Sequence, residues 1–166
     1  GSETVTSTNT STFNNKNVGT GKTVTVNSIT LADGSGLAAN YSISAGQTTT
    51  ANITAKALTV SGITASNKTY DGTTTASMDG TSAVYSGLVS GDTFDGTYTG
   101  VFSDKNAGVG KTVTITSSYS GADVSNYSVT DQSSTTANIT AKSLTVSGIT
   151  ASDKTYDGSV TATMNG

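Results

Sequence analysis

Few side chains here can hold a metal, move a proton or attack a substrate: ten aspartates, one glutamate (Glu3), eight lysines, seven tyrosines, and the serine and threonine hydroxyls. His, Cys, Trp, Pro and Arg are absent. Histidine-based nucleophile pairs, cysteine or histidine zinc sites and thiol redox chemistry are therefore excluded. No serine stands in a G-x-S-x-G or S-x-x-K order. The expectation is a non-catalytic protein with no cofactor and no resident metal.

The remaining polar clusters each have a plain reading. Tyr70-Asp71-Gly72 and its copy Tyr156-Asp157-Gly158 read as tight turns, because Asp-Gly reaches positive φ at little steric cost. Read functionally, Asp71 and Asp157 would be calcium ligands at a junction, but the D-x-[DN]-x-[DN]-G spacing of a calcium loop is missing. Asp92, Asp95 and Asp104 lie in glycine-rich loops and read as turn residues. Gly19-Thr20-Gly21-Lys22-Thr23 and Gly108-Val109-Gly110-Lys111-Thr112 look superficially like phosphate loops. Lys16 and Lys105 stand where the earlier Walker glycine belongs, and a β pattern follows instead of a helix, so both are read as turns. Asp123, four residues before Tyr127, is reminiscent of a tyrosine corner, in which a buried ring bonds its hydroxyl to upstream backbone. Tyr41 is the matching tyrosine in the first copy, with Leu37 in place of the aspartate. Tyr85 and Tyr98, beside loop aspartates, are candidates for a sugar-binding platform. Six N-x-[ST] sequons and a lysine isopeptide crosslink are further covalent options that the residues alone do not decide.

These groups must be positioned by a duplicated β scaffold. Thr49 to Gly80 returns almost unchanged as Thr135 to Gly166, 86 residues later, and Phe13 to Val26 parallels Phe102 to Ile115 at a spacing of 89. A period of this length exceeds a β-helix coil and matches a small all-β domain. Thr23-Val24-Thr25-Val26 and Thr112-Val113-Thr114-Ile115 alternate with period 2, which predicts half-buried strands with Val24, Val26, Val113 and Ile115 inward. Leu58 and Val60 do likewise. Between Ala51 and Val60 the apolar phase switches at Lys56-Ala57, which a continuous strand cannot do, so 56/57 and its twin 142/143 are junctions or sheet crossings.

Lys68-Thr69-Tyr70-Asp71-Gly72-Thr73, Gly91-Asp92, Asp104 to Lys111, Ser125-Asn126-Tyr127 and Ala137 to Lys142, in that order, resemble the YDG-type repeat of large secreted bacterial adhesins of the filamentous-haemagglutinin kind. The resemblance spans essentially the whole chain. It implies an extracellular or cell-surface location and a stalk or adhesive role, and it names no ligand. The expected partners are neighbouring repeats of the same polypeptide, with host or biofilm glycans as a further option.

The expected fold is all-β: tandem Ig-like antiparallel β-sandwich repeats, end to end. The division expected is 1–80 and 81–166, each unit joining late strands of one repeat to early strands of the next. The alternative frame is one complete repeat, 57–142, with partial copies 1–56 and 143–166. Net charge is -3 and the lysines are scattered, so nucleic acid is not an expected partner. No apolar run approaches the ~18 residues of a membrane span. Two alternative functions are a carbohydrate- or mucin-binding module and a head-to-tail filament in which 143–166 of one chain completes the sheet of another.

Overall fold

The alternation around Val24 and Val113 builds the two longest strands of the computed structural model, in which residues 2–165 are described. The first, β2 (Gly19–Asp33), runs antiparallel to β1 (Val5–Phe13) on one side and to β3 (Thr48–Ile53) on the other. The second, β11 (Gly108–Ser120), runs antiparallel to β10 (Asp95–Phe102) and to β13 (Ser134–Thr140). The short strands β6 (Lys68–Thr69) and β7 (Thr75–Ala76) border this second sheet, in the order β6-β13-β11-β10-β7. A third sheet places β4 (Lys56–Ser61) between β12 (Tyr127–Thr130) and β9 (Val84–Ser86). Two short ladders join β5 (Thr64–Ala65) to β8 (Met78–Asp79) and β14 (Thr150–Ala151) to β15 (Met164–Asn165).

The all-β expectation matches this architecture; the wholly antiparallel one does not. β12 pairs with β4 in parallel, and so does β13 with β6. A parallel pair needs a long crossover connection, which the intervening strands supply here.

Strand pairing also departs from the 1–80 and 81–166 division. Leu58 and Val60 do not fill the face of Val24 and Val26; they join Ile63, Phe94, Ile115 and Tyr127 in one buried cluster. Phe94 is its hub, with the rings of Tyr85 and Tyr127 edge-on at centroid distances of 5.2 and 5.9 Å. A second cluster holds Ala76, Phe102, Val113, Ala137 and Ile139, with Tyr70 and Met78 against it. Both draw their members from residues 58–139 alone. Equivalent residues outside that span are more open: Val24, Val26 and Ile53 are half-buried where Val113, Ile115 and Ile139 are buried, Phe13 is 40% exposed where Phe102 is 2%, and Leu144 is 90% exposed where Leu58 is 1%. The same side chain is buried only where both halves of one repeat are present.

The junction at Lys56 is a sheet crossing, as the phase switch implies. β3 ends at Ile53 in the first sheet, and β4 begins at Lys56 in the third. The two Gly-x-Gly-Lys segments are bulges within strands rather than turns. The ladder shifts register between Gly19 and Lys22 and again between Gly108 and Lys111. Gly21 and Gly110 take φ of 59° and 62° there, a left-handed conformation that glycine adopts without penalty. Each bulge amide finds a side-chain acceptor: Gly21 N–H donates to Asn52 Oδ1 at 2.8 Å, and Gly110 N–H to Asn138 Oδ1 at 2.7 Å.

Twin positions give a paired test. Leu58→Ala is expected to cost about 2–5 kcal/mol of unfolding free energy, the range for a buried leucine. Leu144→Ala, at an exposed site, is expected to change it by less than about 0.5 kcal/mol. Denaturant melts of the two variants measure the difference.

Candidate functional site

Three polar clusters hold the candidate site residues, and each has a definite geometry. The Tyr-Asp-Gly motif is a lysine-centred clamp. Lys68 Nζ donates to Asp71 Oδ1 at 2.9 Å, to the Thr73 carbonyl at 2.8 Å, to Thr73 Oγ1 at 3.0 Å and to the Thr75 carbonyl at 3.1 Å. Its ammonium also lies 5.5 Å from the Phe102 ring centroid, within cation–π range. Asp71 Oδ1 accepts in addition from the amide and the hydroxyl of Thr73. The Lys68 hydrogen bond, then those from Thr73, hold the Asp71 carboxyl below the usual carboxylate range. Gly72, at φ 82°, makes the turn. The second copy repeats the clamp, with Lys154 bonded to Asp157 at 2.8 Å and Gly158 at φ 70°. Tyr70 packs on the second core cluster, whereas Tyr156 is 93% exposed. Asp71 and Asp157 thus serve their own turns, and Lys68, the residue that organises the motif, was visible only as part of the Lys-Thr-Tyr-Asp-Gly string.

Tyr85 and Tyr98 are turned toward each other and the interior. Their hydroxyls are 2.9 Å apart, and both rings pack against the Phe94 cluster. Gly80 lies against the Tyr98 ring so closely that a Cβ there would meet it at 2.6 Å. Burial and the Tyr85 hydrogen bond raise the Tyr98 hydroxyl above its ordinary range. These rings do not form an exposed platform. Tyr119 packs beside Phe94 and donates to Asp131; burial, then that bond, pushes its hydroxyl up to about 12.

The third cluster joins two copies of the repeat. Tyr127 donates its hydroxyl to Asp92 Oδ2 at 2.7 Å and accepts the Val89 amide at 3.0 Å. The bond to upstream backbone is the one a tyrosine corner requires, but Asp123 is not its partner. Asp123 Oδ2 instead accepts the Thr93 amide at 3.0 Å. Each carboxylate thus has one oxygen held within its own repeat. The other oxygens converge on Lys16 of the first sheet: Asp92 Oδ1 at 2.7 Å and Asp123 Oδ1 at 3.0 Å from Nζ. Beside them Val18 N–H donates to Asn126 Oδ1 at 2.9 Å. A recess of about 230 Å³ lies here, bordered by Lys16, Ile53, Lys56, Val89 and Tyr127.

Two carboxylates facing one site repel, and each is an obstacle to the other's ionisation; the lysine reverses that balance. Its hydrogen bond is the main cause of the lowered Asp92 carboxyl, with Tyr127 second. For Asp123 the Thr93 amide comes first and Lys16 second. Lys16 in turn is raised by Asp92, then Asp123. In the first copy Tyr41 bonds to Glu3 at 2.8 Å, as Tyr127 does to Asp92, while Leu37 occupies the Asp123 position, 61% exposed. Sequence reading found Asp123, Tyr127 and Tyr41 but not Lys16, whose partners lie 76 and 107 residues away.

The lowered carboxyls fix the sign of a pH effect. Their contribution to the contact is complete above the ordinary carboxylate range near pH 4 and disappears as pH falls through the lowered values. Acid titration is expected to release Lys16 only below the ordinary carboxylate range at about pH 4, read as a shift of the Val18 amide in nitrogen–proton NMR while the Val113 amide stays in place. A Val18 amide that shifts within the ordinary carboxylate range, in step with an unpaired aspartate, contradicts the contact.

The family model of the YDG domain matches residues 1–51 and 54–137. No curated protein and no solved structure matches the chain. The unmatched pair, 52 and 53, falls just before the Lys56 crossing, so the family's own division and the observed change of sheet coincide to within a few residues. With most of its length covered and its Lys-Thr-Tyr-Asp-Gly turns built as described, the chain belongs to the YDG domain family.

Proposed function

We propose that this chain is a structural stalk or spacer and adhesive repeat of a bacterial cell-surface or secreted adhesin, and that it is not an enzyme. One observation carries the reading: a specific polar contact, Lys16 on Asp92 and Asp123, joins the first sheet to the following copy, beside a two-residue link, Thr54-Ala55, between strands of different sheets. A link so short leaves neighbouring copies little freedom, and repetition then sets reach. The folded unit is the sequence repeat, about 57–142, with an Ig-like sandwich as its nearest architectural description. The absence of cysteine suits export without disulfides.

A second reading, head-to-tail strand donation, is favoured by complementary exposure. Leu144, Val146 and Ile149 are 90%, 74% and 50% exposed, and Phe13, Tyr41 and Ile43 are 40%, 46% and 52% exposed. These are the two halves that meet inside residues 57–142, and an unpaired edge with open apolar residues is a template for another chain.

Small-angle scattering over a concentration series separates the readings. The stalk reading expects a rod whose mass stays that of one chain. A mass growing with concentration selects strand donation, and a compact profile at constant mass contradicts both.

A further inference from the structure

Among the described residues, one of two like-built lysine tips is engaged in an ion pair and the other is not. Lys16 stands at the tip of the β1–β2 hairpin, and Lys105 holds the same place in the β10–β11 hairpin. The two tips are built alike. Asn15 Oδ1 accepts the Asn17 amide at 3.1 Å, and Asp104 Oδ1 accepts the Asn106 amide at 2.8 Å. Lys22 and Lys111 anchor those same acceptor residues from the strand behind. Asn14 N–H to Thr23 O and Ser103 N–H to Thr112 O close the hairpins at 3.0 and 2.9 Å. Lys105 itself is exposed and in no ion pair among the described residues.

The path of the backbone is also the same at both tips. Gly19, just behind the first tip, pairs with Ile53, and three residues later the chain enters the next unit at Lys56, opposite Tyr127. Gly108, just behind the second tip, pairs with Ile139, and Lys142 is the counterpart of Lys56. A following copy entered at Lys142 would bring its own Asp92, Asp123, Asn126 and Tyr127 equivalents to the Lys105 tip. Within its own repeat Lys105 has no such access. Asp92 and Lys105 lie beyond opposite ends of the eight-residue strand β10, roughly 23 Å at the usual rise.

We propose that Lys105 is a docking plug for the next copy of this repeat in the same polypeptide. Its ammonium sits between the copies of Asp92 and Asp123 there, and the Ala107 amide bonds to the copy of Asn126. This deepens the stalk reading and rests on it, since it needs repeats in series. An exposed ion pair is too weak to join separate molecules, but a short tether raises the effective concentration of the two faces to the millimolar range. The socket then acts chiefly on the angle between units. Asp92 and Asp123, each with one oxygen held inside the repeat, present the other to a cation without rearrangement.

The test extends the chain by a second copy of residues 81–166 after Gly166, which continues the 86-residue period because 143–166 already repeats 57–80. Carbodiimide joins lysine to carboxylate only at contact distance, and mass spectrometry reads the linked peptides. Lys16 linked to Asp92 or Asp123 is expected in both the original and the extended chain and serves as the internal control. Lys105 linked to Asp92 or Asp123 is expected only in the extended chain, at a yield unchanged by tenfold dilution, and lost when the first-copy lysine is changed, Lys105→Met. If the control link forms and the Lys105 link does not, the plug is wrong. If a Lys105 link appears in the original chain and falls on dilution, the tip docks between molecules and the in-series assignment is overturned. Scattering from the extended chain keeps the two questions apart: a rod without the Lys105 link removes the plug and leaves the stalk, and a compact profile removes the stalk.

Discussion

The parallel pairing of β12 with β4 closes the repeat on itself, and most other features depend on it. Tyr127 lies opposite Lys56, Val129 opposite Leu58, Thr130 opposite Thr59. That register brings the first strand of the 86-residue unit beside one of its last. It covers Leu58 and Val60 with Phe94, Ile115 and Tyr127. It also seats Tyr127 at the point where the chain arrives from the preceding sheet, so the buried ring and the inter-repeat contact share one residue. Fold closure and junction geometry are therefore a single constraint.

Polar side chains carry much of the remaining definition, in a chain with neither proline nor cysteine to stiffen it. Asn52 and Asn138 accept bulge amides, Asp71 and Asp104 accept turn amides, and Gln132 exchanges hydrogen bonds with both the amide and the carbonyl of Ile63. Each bond is worth only about 0.5–1.5 kcal/mol net, and only the Gln132 pair lies in a part-buried setting. Among the described residues no buried side-chain nitrogen or oxygen lacks a partner. Asparagine and aspartate at those places act as substitutes for ladder partners, which frees them from the ligand roles their chemistry invites.

Much of this was legible in the residues, for physical reasons that also mark where legibility stopped. Period-2 alternation identifies the strands around Val113 and Ile115, and the phase switch at Lys56 identifies the crossing, because both are local properties of a pleated backbone. Alternation is blind to direction, so the parallel pairing of β4 leaves no mark in it. Duplication hid the frame: Leu58 and Leu144 have nearly the same neighbours in sequence, and one is buried while the other is open. Gly-x-Gly-Lys looked like a turn because a left-handed glycine serves a bulge equally well. Lys16 leaves no local signal because its partners are far away in sequence, and Lys68 shows only as part of its motif because its role lies in the turn it clamps.

A cooperative unit equal to the sequence repeat, about 57–142, has a distinct signature in native-state hydrogen exchange. Amides of β4 are expected to open together with those of β11 and β13, at one shared free energy, while amides of 143–165 exchange with little protection. The contrary result would be β4 opening with β2 and β3 and independently of β11, which would restore a unit that spans the Lys56 junction.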